Sequence, residues 1–512
     1  MDARIADALA RLPDYFGNHV LVSVTALLLG LAISLPLAIA SLRRPVLRAG
    51  VLAATSIVQT IPGLALLALF YPLLLGAAAL TERTLGFGFS ALGFLPAVLA
   101  LALYSMLPVV RNTITGIMGI DPAIKRAALG VGMTERQALT MVELPLALPV
   151  IMAGVRTASV WVIGTATLST PIGQTSLGNY IFAGLQTQNW IFVLFGCVAA
   201  AVLALAVDQL LALIERGYSA RSRNRVAAGG IGLALIVLLA LIPNLSGGKG
   251  GYVISAKPFA EQYILAALME DRLRAKGLTA MRRDGLGSAV IFDALAAGDI
   301  DAYVEYSGTI WANQMKRTDA VPREQVLSEV AAWLKDRHGI VMVGGLGFEN
   351  AYALAMTKKR AAGANIGSIA DLARHAPALS IAGDYEFFDR PEWKSIRDAY
   401  GLSFRQQRQM QAEFMYPAAA AGEIDVISAY TSDGRVAQFG LQVLDDPKHA
   451  IPPYDAILLI SPKRASDRAF VDTLRPLIGK ISVDVMREAN RRAGEGASPE
   501  AAARWLAEKI GR

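Results

Sequence analysis

The sequence has little charge, one cysteine and four histidines. Only 18% of its 512 residues are charged, against about 25% in ordinary soluble domains. Cys197 stands alone in an apolar run, which excludes a disulfide framework and a cysteine-based metal site. Because the histidines are also far apart in the sequence, we expect no metal and no cofactor; they are His19, His338, His375 and His449. No Gly-x-x-x-x-Gly-Lys-Ser/Thr phosphate loop occurs, which excludes ATP hydrolysis of that type by this chain.

The charge that is present is unevenly distributed. Residues 1–250 hold 16 Lys+Arg and 9 Asp+Glu, whereas residues 251–512 hold 33 of each. The whole net charge of +7 therefore lies in the charge-poor half. This distribution excludes a single soluble globule. It also removes nucleic acid as the obvious partner of a basic protein, because the excess charge lies among apolar residues.

The first half contains six apolar runs near the ~20 residues that a helix needs to cross a membrane. We predict spans at residues 19–41, 52–78, 90–110, 146–168, 190–214 and 228–244. Pro62 and Pro72 predict a tilt or kink in the second span. Pro96 and Pro108 lie in the third, where a helix bundle can satisfy the freed backbone groups.

The distribution of Lys and Arg between the spans predicts the orientation. With the N-terminus outside, the inner segments hold eleven of these residues and the outer segments before the last span hold three. We therefore expect a multi-pass protein of the bacterial inner (plasma) membrane, surrounded by membrane lipid, with its C-terminal half in the periplasm or on the outer surface of a Gram-positive cell. The expected domains are a transmembrane domain at residues 1–225, an extra anchor and glycine-rich tether at 226–250, and an extracytoplasmic domain at 251–512.

The longest inner loop, residues 121–145, is predicted to form two short helices. Asp121 can cap a helix that has Pro122 at its first position and ends near Gly130 and Gly132. A second helix would start at Thr134. Such a loop suits docking to another protein, although a solvated connector is an alternative interpretation.

This loop resembles the coupling loop of permeases from ATP-binding-cassette (ABC) importers. Their motif is Glu-Ala-Ala, three residues, Gly, and about ten residues ending in Leu-Pro; this sequence supplies Ala127, Ala128, Gly132, Leu144 and Pro145, with Arg126 in place of Glu. The flanking sequence resembles the osmoprotectant (betaine/choline) branch over residues 15–220. The resemblance implies a MetI-like helical bundle, a permease homodimer and a separate cytoplasmic ATPase subunit. Arg126 puts one usual contact with that ATPase in doubt.

Arg156 is an ionisable residue within the fourth predicted span. Such residues usually face the interior of the bundle and have a function. Its position near the inner end also allows the side chain to extend to the membrane surface. The sequence leaves both interpretations open.

The second half alternates short apolar runs with helical stretches, which predicts an α/β domain with a parallel sheet. Strands are expected at residues 251–255, 300–304, 341–344, 353–356, 379–382 and 426–428, and helices at 258–276 and 291–298. At ~260 residues we expect two lobes with the ligand between them. Lobe 1 would comprise about 251–350 and 451–512, and lobe 2 about 351–450.

Four tyrosines of this half lie in turn-like contexts after predicted strands: Tyr306, Tyr352, Tyr430 and Tyr454. A single such tyrosine is more often packing than ligand contact. Four around one cleft, however, would form an aromatic cage for a cation that cannot donate hydrogen bonds.

The half resembles the quaternary-amine-binding proteins of the same importer branch, two-lobed domains of the periplasmic-binding-protein type. The resemblance rests on ordered segments at residues 255–262, 298–309, 386–393 and 422–434. It implies that the four tyrosines surround a trimethylammonium group and that Lys257, Thr309 and Arg390 hold a ligand carboxylate. It also places Asn350 where it closes the cage. Taken alone, Arg390 could instead pair with Asp389 or Glu392, and Lys257 could be solvated.

The resulting expectation is an import permease fused to its own substrate-binding domain, with no enzymatic site. Glycine betaine, proline betaine, carnitine and choline all fit a cage. Choline has no carboxylate and would leave Lys257 and Arg390 unpaired, which argues against it. Ergothioneine is an alternative solute; it also carries a trimethylammonium group and a carboxylate, but its larger thiol-imidazole ring would need extra room. A ligand-gated pore without an ATPase and a membrane-anchored enzyme are alternatives of other classes.

Overall fold

The computed structural model describes residues 3–511 except 87–88, 187–188, 247–250, 318, 320 and 385. The chain forms two compact units, one of residues 1–182 and 192–249 and the other of residues 183–191 and 250–512. The glycine-rich tether expected before residue 251 lies mainly outside the described residues.

The first part of the chain is helical. Its α-helices are α1 (Ala3–Ser41), α2 (Pro45–Thr60), α3 (Gly63–Leu85), α4 (Phe94–Met118), α5 (Pro122–Gly130), α6 (Glu135–Ala138), α7 (Leu144–Ala166), α8 (Gly178–Gln186), α9 (Trp190–Ser219) and α10 (Arg223–Ser246). Six stretches of the described residues are long and apolar enough to cross a membrane: Ile5–Ser41, Gly63–Leu85, Phe94–Met118, Glu135–Ile172, Trp190–Ser219 and Arg223–Ile242.

Of the two prolines in the second predicted span, Pro62 lies where a helix is interrupted and Pro72 lies within a helix. At Pro62 the helix is interrupted, with Ile61 extended between α2 and α3. The span therefore begins at Gly63, and the predicted bounds 52–78 are wrong. α3 continues through Pro72, and α4 through Pro108.

Small residues allow the long helices to pack closely. A Cβ at Gly154 of α7 would lie 2.7 Å from the Pro108 carbonyl oxygen of α4. Gly229 and Gly232 of α10 approach Leu210 of α9 in the same way. Close backbone approach of this kind is typical of helix packing in membranes.

Arg156 of α7 is paired within the bundle. Its guanidinium donates to both carboxylate oxygens of Asp208, at 2.9 and 3.0 Å, and to Glu215 at 3.1 Å. Both carboxylates lie on α9. The structure thus favours the interior location over extension to the membrane surface.

The second unit contains two five-stranded sheets. The first has the order β2-β1-β3-β10-β4, and the second β7-β6-β8-β5-β9. The strands are β1 (Tyr252–Ala256), β2 (Ala280–Asp284), β3 (Ala302–Tyr306), β4 (Val341–Glu349), β5 (Tyr352–Thr357), β6 (Ser380–Gly383), β7 (Gln406–Gln409), β8 (Val426–Tyr430), β9 (Leu441–Val443) and β10 (Asp455–Ile460).

Helices connect these strands. They are α11 (Ala260–Ala275), α12 (Ser288–Ala297), α13 (Ser307–Thr309), α14 (Arg323–His338), α15 (Lys358–Ala364), α16 (Ile369–His375), α17 (Pro391–Tyr400), α18 (Ala412–Ala421), α19 (Arg435–Gln438), α20 (Arg468–Leu474), α21 (Val483–Gly494) and α22 (Pro499–Ile510). The six predicted strands and two predicted helices all have counterparts here. Strands β2, β7, β9 and β10 were not expected.

Both sheets are mixed, whereas the sequence predicted a parallel sheet with crossover helices. β10 runs antiparallel to β3 and β4, and β5 runs antiparallel to β8 and β9. The other pairings are parallel. One antiparallel strand in an otherwise parallel sheet is common in α/β domains. Here these strands determine where the tyrosines meet.

Candidate functional site

Two strand pairings position the four expected tyrosines. Tyr352, the first residue of β5, is paired with Tyr430, the last residue of β8. Tyr306 ends β3 and is paired with Ala456 of β10, two residues beyond Tyr454. Because β5 and β10 are antiparallel to their neighbours, the start of each strand lies beside the end of the next. Tyr352 thus begins β5 and Tyr454 directly precedes β10, so neither lies in a turn after a strand as the sequence predicted.

Five aromatic rings form a continuous group, here called the ring cluster. Tyr352 lies 4.8 Å from Tyr430 and 5.7 Å from Tyr454, measured between ring centroids. Phe259 lies 6.2 Å from Tyr306 and 6.4 Å from Tyr430. The four expected tyrosines are brought together, and Phe259 links Tyr306 to the others. Aromatic faces in this arrangement attract a cation.

Gly308 is part of the ring cluster's structure. It lies in α13, directly after β3, and a Cβ on it would be only 2.4 Å from Cε2 of Tyr454. No side chain larger than hydrogen fits there while Tyr454 keeps its place. The glycine of the Tyr-Ser-Gly-Thr segment is therefore required by ring packing.

Three cluster tyrosines donate their hydroxyl groups to carboxylates. Tyr306 donates to Glu261 at 2.6 Å and Tyr430 to Asp384 at 3.0 Å. Tyr454 donates to Glu392. Burial and the neighbouring carboxylates raise the pKa of these phenols well above the ordinary value, so they stay protonated and act as donors; the three are Tyr306, Tyr430 and Tyr454.

Lys257 lies at the Tyr306 end of the cluster and is buried. Its ammonium is 5.5 Å from the Tyr306 ring centroid and forms an ion pair with Glu305. Only 3% of Lys257 is exposed, so the solvated alternative is wrong. Burial lowers the pKa of Lys257, and Glu305 opposes that change. The lysine thus already has a carboxylate partner within the protein.

Arg390 lies over Tyr352, a ring in the middle of the cluster. Its guanidinium carbon is 5.3 Å from the Tyr352 ring centroid. It forms an ion pair with Glu386 and lies 3.9 Å from Glu392, the second of the two pairs considered from the sequence. Its Nε is buried without a hydrogen-bond partner among the described residues.

Asn350 joins the ring cluster to α11. Its backbone N–H donates to the Tyr454 carbonyl at 2.9 Å, and its side-chain N–H donates to Glu261 at 3.0 Å. Its side-chain oxygen is buried with no partner in the described structure. Thr309 is also buried and follows Tyr306 by three residues in α13.

The predicted coupling loop of the membrane unit begins as expected. Asp121 caps α5 by accepting from the backbone N–H of Ala123 at 2.8 Å. Thr134 caps α6 in a reciprocal arrangement with Gln137. Gly132 has a φ of +88°, which favours glycine between the two helices.

The second helix of this loop is not a separate short helix. After Ala138 the backbone continues through one π-helical turn, Leu139–Glu143, into α7, whose first residues are Leu144 and Pro145. Lys125 of α5 pairs at 3.1 Å with the buried Glu143. This ion pair connects α5 to the π-helical turn that leads into α7. On α5, Arg126 and Ala127 are exposed, while Ala128 is buried.

Both halves of the chain match known families. Residues 251–508 match the substrate-binding domain of the ABC-type glycine betaine transport system. Residues 30–220 match the inner membrane component of binding-protein-dependent transport systems. The chain belongs to the ABC-type glycine betaine transport family. It is the permease and the substrate-binding domain of an ABC importer on one polypeptide, which confirms the expected fusion and both expected fold classes.

Several relatives of this importer family are known. The ergothioneine transport permease/ergothioneine binding protein EgtU of Helicobacter pylori (strain G27) is 29% identical over 487 residues, covering 91% of this chain and 84% of the relative. The glycine betaine/carnitine/choline transport system permease protein OpuCB of Bacillus subtilis (strain 168) is 40% identical over 200 residues, covering 39% and 85%. A crystal structure of a glycine betaine/carnitine/choline ABC transporter is 27% identical with a TM-score of 0.45, covering 50% and 98%.

The sequence did not single out Phe259 or the carboxylates that accept from the cluster tyrosines and pair with Lys257. Phe259, Glu261 and Glu305 lie inside segments that carry the family resemblance, and Asp384 lies two residues before one; Glu392 was considered only as a partner of Arg390. The available signal was a carboxylate flanked by apolar residues, as in Val304-Glu305-Tyr306, where burial demands a partner.

Proposed function

We propose that this importer takes up a small quaternary ammonium solute, bound between the two lobes at the ring cluster. The observation that carries the proposal is the continuous group of five rings, drawn from both sheets, with Lys257 over Tyr306 and Arg390 over Tyr352. A quaternary nitrogen cannot donate a hydrogen bond, so aromatic faces are its suitable partners. Each face contributes about 0.5–2 kcal/mol, depending on desolvation.

Glycine betaine, carnitine and choline are the small solutes that fit this proposal. The sequence argument against choline was that it would leave Lys257 and Arg390 unpaired. In the structure both have protein carboxylates as partners, Glu305 and Glu386. A ligand without a carboxylate therefore leaves neither Lys257 nor Arg390 without an ion-pair partner. Choline and the betaines are then equally good candidates.

Calorimetric titration tests this proposal. The full chain in lipid nanodiscs is titrated with glycine betaine, carnitine, choline and ergothioneine, in parallel with the Tyr306→Ala variant. We expect binding of at least one small quaternary amine, weakened at least about tenfold by the substitution. If the wild-type chain binds none of the four, the proposed solute class is wrong.

Ergothioneine is a second candidate, supported by three observations. A relative named for its transport spans both halves of this chain. The thione ring of ergothioneine also carries N–H donors, and it needs more room than a small betaine does. Two buried acceptors near the ring cluster, Asn350 Oδ1 and Glu392 Oε2, have no partner in the described structure. A cavity of about 70 Å³ is lined by Phe259, Asn350 and Tyr430 among others.

The same titration separates the two candidates. Glycine betaine offers no hydrogen-bond donor to Asn350 or Glu392, whereas ergothioneine does. If ergothioneine is the solute, Asn350→Leu weakens ergothioneine more than glycine betaine, because only ergothioneine loses a hydrogen-bond acceptor. Equal losses for both ligands would leave the small quaternary amines as the better proposal.

A separate ATPase subunit docks, in this proposal, on the exposed face of α5. Arg126 and Ala127 lie on that face, and the sequence has no phosphate loop of its own. The arginine suits an acidic partner surface. The ATPase should therefore co-purify with the wild-type chain from native membranes and be lost from Arg126→Glu. A chain that transports solute in liposomes without any ATPase would instead support the ligand-gated pore.

We further propose that two copies of this chain form the pore. Residues 1–225 would be the permease domain, 226–250 the additional anchor with its tether, and 251–512 the extracytoplasmic binding domain. Mass photometry of the chain in nanodiscs tests the dimer, since one copy weighs 54.4 kDa. A species carrying a single copy together with its ATPase would contradict it.

A further inference from the structure

Glu261 is a buried carboxylate directly behind the ring cluster. It lies on the first turn of α11 and is 3% exposed. No Lys or Arg among the described residues forms an ion pair with it. An uncompensated charge at such a site is costly unless hydrogen bonds satisfy it. The structure supplies these bonds in full.

Four donors surround the two oxygens of Glu261. Oε1 accepts from Tyr306 at 2.6 Å and from Asn350 at 3.0 Å. Oε2 accepts from Ser432 at 2.6 Å and from Asn490 at 2.8 Å. An ionised carboxylate has about four acceptor positions, and here four donors occupy them. The arrangement therefore accommodates the ionised form, although burial by itself raises the pKa of Glu261.

The bond from Tyr306 has a defined direction. Gln262 donates its side-chain N–H to the Tyr306 oxygen at 3.0 Å. The phenol hydrogen is then the group that points to Glu261. A hydrogen bond from a phenol to a carboxylate is charge-assisted and shifts electron density onto the ring. A more electron-rich face attracts a cation more strongly.

We propose that Glu261 is a positioning residue that provides the negative charge behind the ring cluster, acting through Tyr306 on a permanently cationic ligand. The inference rests on the proposed function, because it requires a quaternary ammonium group at the rings. It assigns Glu261 to ligand selection by charge. If Glu261 served only in packing, the shape of its side chain would be sufficient and its charge would not matter.

Two ligands of equal shape separate these roles. Choline and 3,3-dimethyl-1-butanol differ in that a carbon replaces the charged nitrogen. We expect Glu261→Gln in the full chain in nanodiscs to weaken choline binding on the order of tenfold. Binding of the uncharged analogue should change less than about twofold, because its attraction does not involve the charge.

Two further variants complete the experiment. Tyr306→Phe keeps the ring but removes the bond to Glu261, so it should also reduce the preference for choline; it serves as the test if Glu261→Gln does not fold. Glu270→Gln is the matched control. It removes another buried carboxylate of α11, one that pairs with Arg274 and Arg282 away from the rings. It should leave the preference unchanged.

The outcomes separate this inference from the proposed function. If wild-type protein binds choline and Glu261→Gln keeps the wild-type preference over the analogue, or loses both ligands equally, the inference is overturned and the proposed function stands. If wild-type protein binds no quaternary amine, the proposed function fails, and the inference fails with it.

Discussion

Tyr352 is the residue that connects the parts of the ring cluster. It contacts Tyr430 and Tyr454, and the guanidinium of Arg390 lies over its ring. We expect Tyr352→Ala to weaken quaternary amine binding at least about tenfold, because one face is lost and two neighbours lose support. Tyr352→Phe should retain most of the affinity, since its hydroxyl contacts only Tyr430 at 3.2 Å among the described hydrogen bonds. Equal affinities for wild type and Tyr352→Ala, measured calorimetrically, would contradict a binding role.

Gly308 gives a second prediction at the residue scale. An alanine there would place its Cβ 2.4 Å from the Tyr454 ring, so the ring must move. We expect Gly308→Ala to weaken solute binding by about tenfold or more, with a smaller effect on the unfolding midpoint. Gly363→Ala is the control, because nothing lies within 4 Å of its Cβ position. Unchanged binding by Gly308→Ala would show that Tyr454 does not contact the solute.

The pH dependence of binding follows from Glu261. Burial raises its pKa above the ordinary value of 4.5. As the pH falls through this raised pKa, the carboxylate gains a proton and the cation loses its counter-charge. As the pH is lowered from neutral, the affinity of the full chain for choline should therefore begin to fall before the pH reaches 4.5. Glu261→Gln should not show this fall in affinity. The same decline in Glu261→Gln would assign it to another group.

Single residues also show how far the site was readable from the sequence. Tyr306, Tyr430, Lys257 and Arg390 lie in short segments with a family resemblance, whereas Tyr352 and Tyr454 lie outside those segments. The structure brings all six residues together. The pairing of Lys257 with Glu305 spans 48 positions, and that of Tyr454 with Glu392 spans 62. These partners meet only in the folded structure, so no local sequence pattern identifies them.

At the scale of elements, hydropathy predicted the membrane helices better than composition predicted the strands. The six predicted spans correspond to six observed stretches, with an error where Pro62 ends α2. β7 reads Gln-Gln-Arg-Gln and is fully exposed, so no alternation of apolar residues marks it. The antiparallel direction of β5 and β10 depends on which strands they meet, and this information is not local.

The packing of α7 on α4 provides a test at this scale. At Gly154 an added Cβ would meet both the Pro108 carbonyl and Asn112 at 2.7 Å, whereas at Gly164, on the same helix, nothing lies within 4 Å. Gly154→Ala should destabilise the membrane unit by about 1–3 kcal/mol. Gly164→Ala should be neutral or slightly stabilising. Thermal unfolding of the full chain in detergent measures both, and equal midpoints would contradict the close packing of these helices.

At the scale of the whole molecule, the chain joins solute capture and membrane passage. A binding domain on the same polypeptide as its pore meets that pore at an effective concentration set by the connecting segment, without diffusing to it. This advantage requires the binding domain to lie on the outer side of the membrane. The excess of Lys and Arg in the segments assigned to the inside predicts that arrangement.

Cysteine labelling tests this orientation, because Cys197 is the only natural cysteine. In a Cys197→Ser background, Ser466→Cys marks the exposed surface of the binding domain, and Ala127→Cys marks the exposed face of α5. A maleimide that does not cross the inner membrane should label Ser466→Cys in cells with a permeabilised outer membrane, and label Ala127→Cys only after lysis. The reverse pattern would place the binding domain in the cytoplasm. It would leave α5 facing outward, where no ATPase could dock, and the importer mechanism would fail as a whole.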